Sequence, residues 1–213
     1  MRALLLALVL FLPALAQEGH HHHHDFHEVD KWVRVFEQSG RDDWQKPAQV
    51  VAFLEVKPGQ TVADIGAGSG YFTRHFARAV GPQGKALAVE LEKAFFGPIR
   101  QLAKAEGLDN VEPHLASPDD PNLAPESVDL IFLCDTAHHI DHRIEYYRGL
   151  KKALKPGGRV VIVDFFKNRP LPVGPAPEMR LSWSRTCYEL GQAGFSTTVN
   201  SSLLPYQYIV VAQ

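Results

Sequence analysis

Short apolar, β-branched runs alternate along the chain with longer segments whose apolar residues recur at helical spacing. The strand-like runs are TVADIG, KALAVE, NVEPHL, VDLIFLC and RVVIVDFF. The segments between them, including residues 71–80, 93–107 and 143–154, each predict a helix, and KPGG is expected to end the last of these. VDLIFLC is nearly all apolar, as a strand covered on both faces should be. Five strands alternating with helices predict an α/β fold with a doubly wound, parallel sheet.

Both ends of the chain depart from this alternation. Near the C-terminus, a predicted helix over residues 182–193 is followed by FSTTVNS and YQYIVVA. Only a short SLLP turn separates these two runs, so they predict an antiparallel hairpin at one edge of the sheet. Before the first strand, residues 30–56 predict two short helices interrupted at Ser39-Gly40. These helices and the Pro-rich RPLPVGPAPE segment are expected to cover the pocket, with Trp44 and Tyr206 either lining it or packing beside it.

The first residues have the pattern of an export signal. Arg2, an apolar run over residues 3–12 and Ala14-Leu15-Ala16 follow in the order of a signal peptide with a cleavage site. The run is shorter than the roughly 20 residues that a membrane-spanning helix needs. The sequence therefore predicts a signal peptide over residues 1–16 and a periplasmic or secreted protein, tethered to the inner membrane if the leader is uncleaved.

A leader rich in histidine follows the signal. Residues 17–45 are interpreted as a His-rich leader and N-terminal helix, and residues 46–213 as the main domain. The five consecutive histidines at residues 20–24 are typical either of an expression tag or of a native tract that collects divalent metal. Five imidazoles in a flexible leader offer avidity rather than a defined geometry, so no structural metal site is expected.

Composition limits the classes of partner. The chain has 213 residues, 45% of them hydrophobic, and a formal net charge of −2, which suit one globular domain with a sizeable core. It has no run of Lys and Arg to attract nucleic acid, so a small-molecule partner is expected and nucleic acid is not. Cys134 and Cys187 are compatible with a disulfide, with two free thiols or with one functional thiol.

A glycine-rich loop lies between the first strand and the next helix. In VADIGAGSGYF the glycines are Gly66, Gly68 and Gly70, which allow positive φ and a close approach of backbone amides to a ligand. A phosphate loop is disfavoured because no Gly-Lys-Ser/Thr follows. A dinucleotide site is disfavoured because Tyr71 stands where a small residue is needed. A site for a nucleoside carrying a sulfonium remains.

Two carboxylates accompany this loop. Glu90 ends the second strand 20 residues after Gly70, where a carboxylate can accept hydrogen bonds from a ribose diol. Asp64 lies two residues before Gly66. Together the two carboxylates could neutralise a cationic ligand.

These motifs carry a family resemblance. With VADIGAGSG, AVELE, VDLIFLCDTAHHI and LKPGGRVVIVDF in this order, residues 46–213 resemble the class I S-adenosylmethionine-dependent methyltransferases. The resemblance implies a Rossmann-like sheet of seven strands, mostly parallel with an antiparallel last strand, and S-adenosyl-L-methionine as cofactor. It also implies the cofactor-binding residues, with the methionyl part near Asp64, Gly66, Gly68 and Gly70, the ribose at Glu90 and the adenine on Leu91.

One position departs from the family pattern. Many relatives place an Asp after the third strand to meet the adenine amine, whereas this chain reads LASPDDP. Ser117, Asp119 and Asp120 are therefore all candidates for that contact. Asp120 is more typical of a turn beside Pro118 and Pro121.

The candidate catalytic residues follow the fourth strand. Ligands of open parallel sheets lie beyond the carboxyl ends of the strands, where this chain reads CDTAHHIDHR. Methyl transfer needs alignment and, for an acidic nucleophile, removal of a proton, which suits Asp135 as a contact and His138 or His139 as a base. Adjacent histidines on a helical turn point about 100° apart, so we expect one to act as the base while the other hydrogen-bonds the backbone or packs. A metal site is disfavoured because the spacing lacks a helical i, i+4 pair.

The expected function is methyl transfer to an unidentified small-molecule acceptor by an exported or membrane-tethered enzyme. The cofactor is made in the cytosol, so its supply outside is an open question. The alternative is a non-catalytic periplasmic protein that binds a nucleoside or metal on the same fold. An NAD-dependent oxidoreductase is disfavoured by Tyr71.

Overall fold

The computed structural model describes residues 28–213, so the predicted signal peptide and the histidine tract lie outside the described residues. The strands are β1 Thr61–Ile65, β2 Lys85–Glu90, β3 Val111–Leu115, β4 Val128–Cys134, β5 Leu154–Phe165, β6 Thr197–Asn200 and β7 Gln207–Ala212. The helices are α1 Val29–Phe36, α2 Arg41–Gln45, α3 Pro47–Phe53, α4 Tyr71–Val80, α5 Phe96–Ala105, α6 Arg143–Ala153 and α7 Trp183–Gln192. Short 3₁₀ turns occupy Lys93–Phe95, Ala137–His139 and Pro177–Met179.

The strands form one seven-stranded sheet in the order β3-β2-β1-β4-β5-β7-β6. Strands β1 to β5 are parallel to one another, and β7 runs antiparallel to both β5 and β6. The predicted fold class and the C-terminal hairpin are thereby confirmed. The direction of winding reverses between β1 and β4, and in such sheets the crevice outside these two carboxyl ends is where ligands bind.

Helices cover both faces of the sheet. On one face, Ile162 of β5 packs with Leu150 of α6 and Leu190 of α7. On the other, Val161 joins a cluster containing Phe76 of α4. These side chains are almost completely removed from solvent, and each contributes about 1.5–3 kcal/mol by its burial. The central strands are apolar on both faces for this reason, and the polar residues of the site come from the strand ends.

Two predictions about element boundaries are wrong. The N-terminal region forms three helices rather than two, because Lys46 adopts a φ of +46° between α2 and α3. Lys46 precedes Pro47, and a residue before proline is kept out of the helical region by contact with the proline ring. The helix before KPGG ends at Ala153, close to its predicted end, but β5 begins at Leu154 rather than at Arg159 because KPGG is part of the strand, with a shift of register opposite residues 128 and 130 of β4.

None of the helices in the described part of the chain is long and apolar enough to span a membrane.

Candidate active site

The glycine loop after β1 has a backbone that only glycine adopts without strain. Gly66, Gly68 and Gly70 have φ values of +70°, +55° and +80°. A Cβ on Gly66 would lie 2.4 Å from the Thr136 hydroxyl, and one on Gly68 would lie 2.8 Å from the ring of Phe36. The loop is thus closely enclosed, and Gly70 leads directly into α4.

Glu90 ties the end of β2 to this loop. Its carboxylate accepts hydrogen bonds from the backbone N–H of Gly68 at 2.8 Å and of Leu91 at 2.9 Å. Burial raises the pKa of Glu90, and these backbone hydrogen bonds oppose the rise. Leu91 is 48% exposed and Leu115, at the end of neighbouring β3, is 47% exposed. An open apolar surface therefore lies beside Glu90, at the position expected for the adenine.

Asp64 is a buried carboxylate of β1 with a neutral partner. It is 3% exposed and accepts a hydrogen bond of 2.6 Å from the hydroxyl of Thr73. Burial raises its pKa to about 7, against the opposing effects of Thr73 and the positive charge of Arg41. Among residues 28–213, no Lys, Arg or His is recorded in an ion pair with it. Its location suits a cationic ligand whose charge would favour the ionised form.

The candidates after β3 form a local turn. The Ser117 N–H donates to the Asp120 carbonyl oxygen at 2.8 Å, and the Asp120 carboxylate accepts from the Asn122 N–H at 2.7 Å. Asp120 therefore has the turn role that its neighbouring prolines favour. Asp119 is exposed at the tip of the same turn. The contact of Ser117 or Asp119 with a cofactor stays a prediction.

Asp135 directly follows β4 and has a strained backbone. Its φ is +56°, and its carboxylate accepts hydrogen bonds from Gln207 at 2.6 Å and Gln45 at 3.1 Å. Burial and the charge of Asp164 raise its pKa to about 6, with Arg41 among the opposing influences. Non-glycine residues in this conformation concentrate at functional sites, where the surrounding contacts hold them.

His138 and His139 differ sharply in surroundings. The His138 side chain is 3% exposed, and its Nδ1–H donates to Asp164, whose two carboxylate oxygens lie 3.0 and 3.2 Å away. His139 is exposed, with its ring 4.2 Å from that of His138. The two rings thus have separate environments, and the buried one has the carboxylate partner. Their separate roles stay a prediction.

Three residues that the fold brings to this place were not predicted from the sequence. Asp164 is fully buried at the end of β5, Gln207 starts β7, and Gln45 ends α2. Asp164 had a signal, because it is a polar residue at the carboxyl end of a predicted strand. The two glutamines carried none, since their partners lie 72 and 90 residues away along the chain.

Residues 29–45, which we call the N-terminal cap, cover the glycine loop. Phe36 lies on Gly68, and Glu37 pairs with Arg74 of α4 at 2.7 Å. The guanidinium of Arg41 lies 3.9 Å above the Tyr71 ring. The cap therefore contacts the loop and α4 through apolar, ionic and cation–π interactions, as the sequence predicted in placing these helices over the pocket.

Aromatic rings continue the cover beyond the cap. Trp44 packs against Phe165 and Tyr206, with ring centroids 5.7 and 6.1 Å apart. Phe165 also fills the space beside Gly174 of the Pro-rich segment, where a Cβ would lie 2.7 Å from the ring. Trp44 and Tyr206 thus pack against each other, which is the second of the two roles predicted for them.

The described part of the chain shows no group of three His, Cys, Asp or Glu side chains arranged to hold a metal. Cys134 and Cys187 are both free thiols. Burial and the charge of Asp135 raise the pKa of Cys134, so this thiol is protonated at neutral pH.

Known proteins resemble this chain in sequence and in fold. Residues 63–160 match a family model described as a methyltransferase domain. The chain is 29% identical over 121 residues to an arsenite methyltransferase of Halobacterium salinarum and 28% identical over 113 residues to a ubiquinone/menaquinone biosynthesis C-methyltransferase of Ectopseudomonas mendocina. These matches cover 57% and 53% of this chain but 31% and 44% of the relatives, so it spans less than half of their length.

The match extends further among solved structures. A SAM-dependent methyltransferase from Aquifex aeolicus superposes with a TM-score of 0.80 and 26% identity, covering 86% of this chain and 97% of that one. This chain belongs to the class I S-adenosylmethionine-dependent methyltransferases. The family predicted from the glycine loop and the strand ends is thereby confirmed.

The site's own residues fit the cofactor of this methyltransferase family. Gly66, Gly68 and Gly70 hold the loop at positive φ directly before α4, a backbone shape that glycine permits and that places main-chain N–H groups rather than side chains along the loop. Asp64 is buried beside the loop without an ion pair in the described chain, and S-adenosylmethionine is cationic at its sulfur. Glu90 is anchored by backbone N–H groups at the end of β2, which fixes a carboxylate where the ribose is expected.

Proposed function

We propose that this methyltransferase transfers the methyl group of S-adenosyl-L-methionine to a small-molecule acceptor, as an exported or membrane-tethered enzyme. The observation that carries the activity is the convergence of two sets of residues at the carboxyl edge of the sheet. The glycine loop with Asp64 and Glu90 forms one set, and Asp135 with His138 forms the other. Neither set belongs to the hydrophobic core, which consists of the apolar residues between the ends of the strands.

The first set would hold the cofactor. Gly66, Gly68 and Gly70 would let it contact the backbone, Glu90 would accept from the ribose hydroxyls, and Leu91 would pack on the adenine. Asp64 would place a negative charge near the methionyl part. When bound, the cofactor supplies a methyl group on a positively charged sulfur, which makes the methyl carbon an electrophile.

The second set acts on the acceptor. Asp135 is held between two glutamine side chains and is thus fixed in orientation. His138 has a carboxylate on Nδ1, which leaves Nε2 as the nitrogen that can receive a proton. The cap and the half-buried rings of Trp44 and Tyr206 cover this end of the sheet. Exclusion of water by this cover would strengthen the electrostatic interactions inside it.

The proposed location rests on the N-terminal sequence. Arg2, the apolar run and Ala14-Leu15-Ala16 support export with cleavage after Ala16, or retention at the inner membrane without cleavage. The proposal requires a source of cofactor outside the cytosol. Mass spectrometry of the protein from periplasmic and membrane fractions tests it, because cleavage leaves Gln17 as the first residue, whereas an uncleaved protein confined to the cytosol contradicts it.

Calorimetric titration of the full chain tests the cofactor site. S-adenosylmethionine and its demethylated product are expected to bind, and NAD is not. Glu90→Ala should lose the binding, whereas Glu112→Ala, which removes an exposed carboxylate of β3 that pairs with Lys85, should keep it. No binding by folded wild-type protein would refute the proposed function. Equal loss in both variants would show that the effect is not specific to Glu90.

A further inference from the structure

Asp164 and His138 form a hydrogen-bonded pair, and neither residue is among those expected to hold the cofactor. We infer that Asp164 is a positioning residue that holds His138 as a general base, and that the acceptor is a neutral aromatic hydroxyl compound. The inference rests on the proposed methyl transfer. It starts from the geometry of two buried side chains that the fold brings together from positions 26 residues apart.

The pair has a fixed orientation. Asp164 is fully buried, and its Oδ1 also accepts the N–H of Phe165 at 2.8 Å, which restrains the carboxylate. A carboxylate accepts hydrogen bonds only, so Nδ1 of His138 carries the proton in the neutral ring and Nε2 presents its lone pair.

Nε2 of His138 has no hydrogen-bond partner in the described chain. The side chain as a whole is 3% exposed, so its surroundings hold the ring in place. This is the state of a base that is held from behind at Nδ1 and whose Nε2 makes no hydrogen bond within residues 28–213.

Several charged groups face the pair. Burial disfavours the charged imidazole, but the hydrogen bond to Asp164 and the charges of Asp164 and Asp135 outweigh it and raise the pKa of His138 above 6.5. Arg143 of α6 acts in the opposite direction. The ring of His139 lies beside it, 4.2 Å away. The hydroxyl groups that sense the charge of Asp164 belong to Tyr147 and Tyr208.

The strength of this base limits the acceptor. An aromatic hydroxyl has a pKa of about 10, within reach of an imidazole of raised pKa, whereas an aliphatic hydroxyl is about as weak an acid as water. A carboxylic acid would arrive as an anion and be repelled by Asp135 and Asp64. A thioether or a tertiary amine has no proton to give and would make the base superfluous.

The neighbouring rings favour an aromatic acceptor. Asp135 is held by Gln45 and Gln207, and the residues next to these glutamines, Trp44 and Tyr206, are half-buried rings in contact with each other. Phe165 packs on Trp44 and follows Asp164 in β5, so its ring lies on the opposite face of the sheet from the Asp164 carboxylate. A planar ring could stack against this cluster, with its hydroxyl reaching across the carboxyl end of the sheet toward His138.

The proposed methyl transfer starts at the hydroxyl group of the acceptor. The acceptor O–H bond breaks and its proton passes to Nε2 of His138, giving an imidazolium beside Asp164. The oxygen electron pair forms a bond to the methyl carbon, and the pair of the breaking carbon–sulfur bond goes to sulfur, which becomes a neutral thioether. The products are an aryl methyl ether and the demethylated cofactor, and the proton leaves from His138 to solvent.

Imidazole NMR of the full chain tests the positioning role without an acceptor. The protein is labelled with ¹⁵N-histidine, and the His138 signal is assigned by its loss in His138→Gln. The expected neutral ring carries its proton on Nδ1, with a pKa above 6.5. Asp164→Asn should lower that pKa and change the tautomer. Asp129→Asn, which alters a carboxylate of β4 that pairs with Lys155 of β5, should change neither.

The wild-type tautomer is decisive even if Asp164→Asn fails to fold. A proton on Nε2 in the wild-type protein overturns the inference, as does a His138 signal unchanged in folded Asp164→Asn. The same samples are titrated with S-adenosylmethionine. Wild-type protein that does not bind it refutes the proposed function, whatever the His138 signal shows. Binding that persists in an Asp164→Asn variant with an unchanged His138 signal refutes the positioning role alone.

Methyl-labelled cofactor tests the acceptor class. The acceptors are phenol and catechol, with dimethyl sulfide and benzoate as comparisons. Transfer to the two phenols should fall at least about 100-fold in His138→Gln and Asp164→Asn but not in Asp129→Asn. Transfer to dimethyl sulfide or benzoate alone, or no transfer to either phenol by protein that binds the cofactor, overturns the acceptor class.

Discussion

The buried carboxyl of Asp64 should make the cofactor-free protein less stable than an uncharged variant at high pH. Asp64→Asn keeps the shape of the side chain, and the amide oxygen can still accept the hydrogen bond from Thr73. The substitution therefore removes the ionisation of a buried group while leaving its packing in place.

The expected size follows from the pKa of Asp64, which burial raises from 3.8 to about 7. Each pH unit in this interval is worth about 1.4 kcal/mol, so ionising the folded protein costs roughly 4 kcal/mol of unfolding free energy above pH 7. Because the folded pKa is raised, this stability is fully present below pH 3.8 and is lost as the pH rises through about 7. We expect Asp64→Asn to be more stable than the wild type by about 2–4 kcal/mol at pH 8, and nearly equal at pH 4.

Urea unfolding of both proteins at pH 4, 6 and 8 measures the difference. Asp129→Asn is the matched control, because Asp129 pairs with Lys155 and is not buried in this way, so it should not become more stable at pH 8. A stability difference for Asp64→Asn that is the same at all three pH values, or a loss of stability at pH 8, would refute the reasoning. S-adenosylmethionine should stabilise the wild type more than the variant, since its positive charge favours the ionised carboxylate.

Three further predictions concern the loop, Asp135 and the core. Gly68→Ala should lower stability by about 1–2 kcal/mol and make the cap easier to cleave in limited proteolysis, because φ is +55° and the new Cβ would meet Phe36 at 2.8 Å. Unchanged cleavage of the cap would contradict this. Asp135→Asn keeps a residue that tolerates positive φ but removes the negative charge of a side chain that accepts two hydrogen bonds. Amide hydrogen exchange in residues 41–45 should therefore accelerate about 10-fold. Unchanged exchange would mean that Asp135 does not hold the cap. Glu189→Gln breaks a nearly buried pair with Arg143 and should lower stability by about 3–5 kcal/mol. Burial disfavours the ionised form of Glu189, but the hydrogen bonds and charges of Arg143 and Arg185 together outweigh burial and lower its pKa. Its contribution to stability is therefore present above the usual carboxyl range and is lost as the pH falls. A stability deficit of Glu189→Gln that grows toward acid pH would contradict this.

The periodicity of the sequence determined most of the sheet. The apolar strand runs predicted β2 and β4 with the bounds that the structure has, and the helix after the glycine loop likewise. This was possible because the requirements are local in the chain. A central strand must be apolar on both faces, and a surface helix must be apolar on one face. The boundary at Lys46 was missed because the N-terminal apolar spacing continued across a proline.

The sequence by itself determined the part of the site that is contiguous in the chain. The glycines, Asp64 and Glu90 lie at fixed distances from the strands that carry them, and Asp135 and His138 directly follow β4. Only the tertiary structure decided which side chains contact Asp135 and His138. Asp164 on His138, and Gln45 and Gln207 on Asp135, come from strands and helices far apart in sequence, so their proximity depends on the order in which the strands pair. Burial likewise belongs to the fold, because an aspartate ionises with difficulty only when its neighbours exclude water.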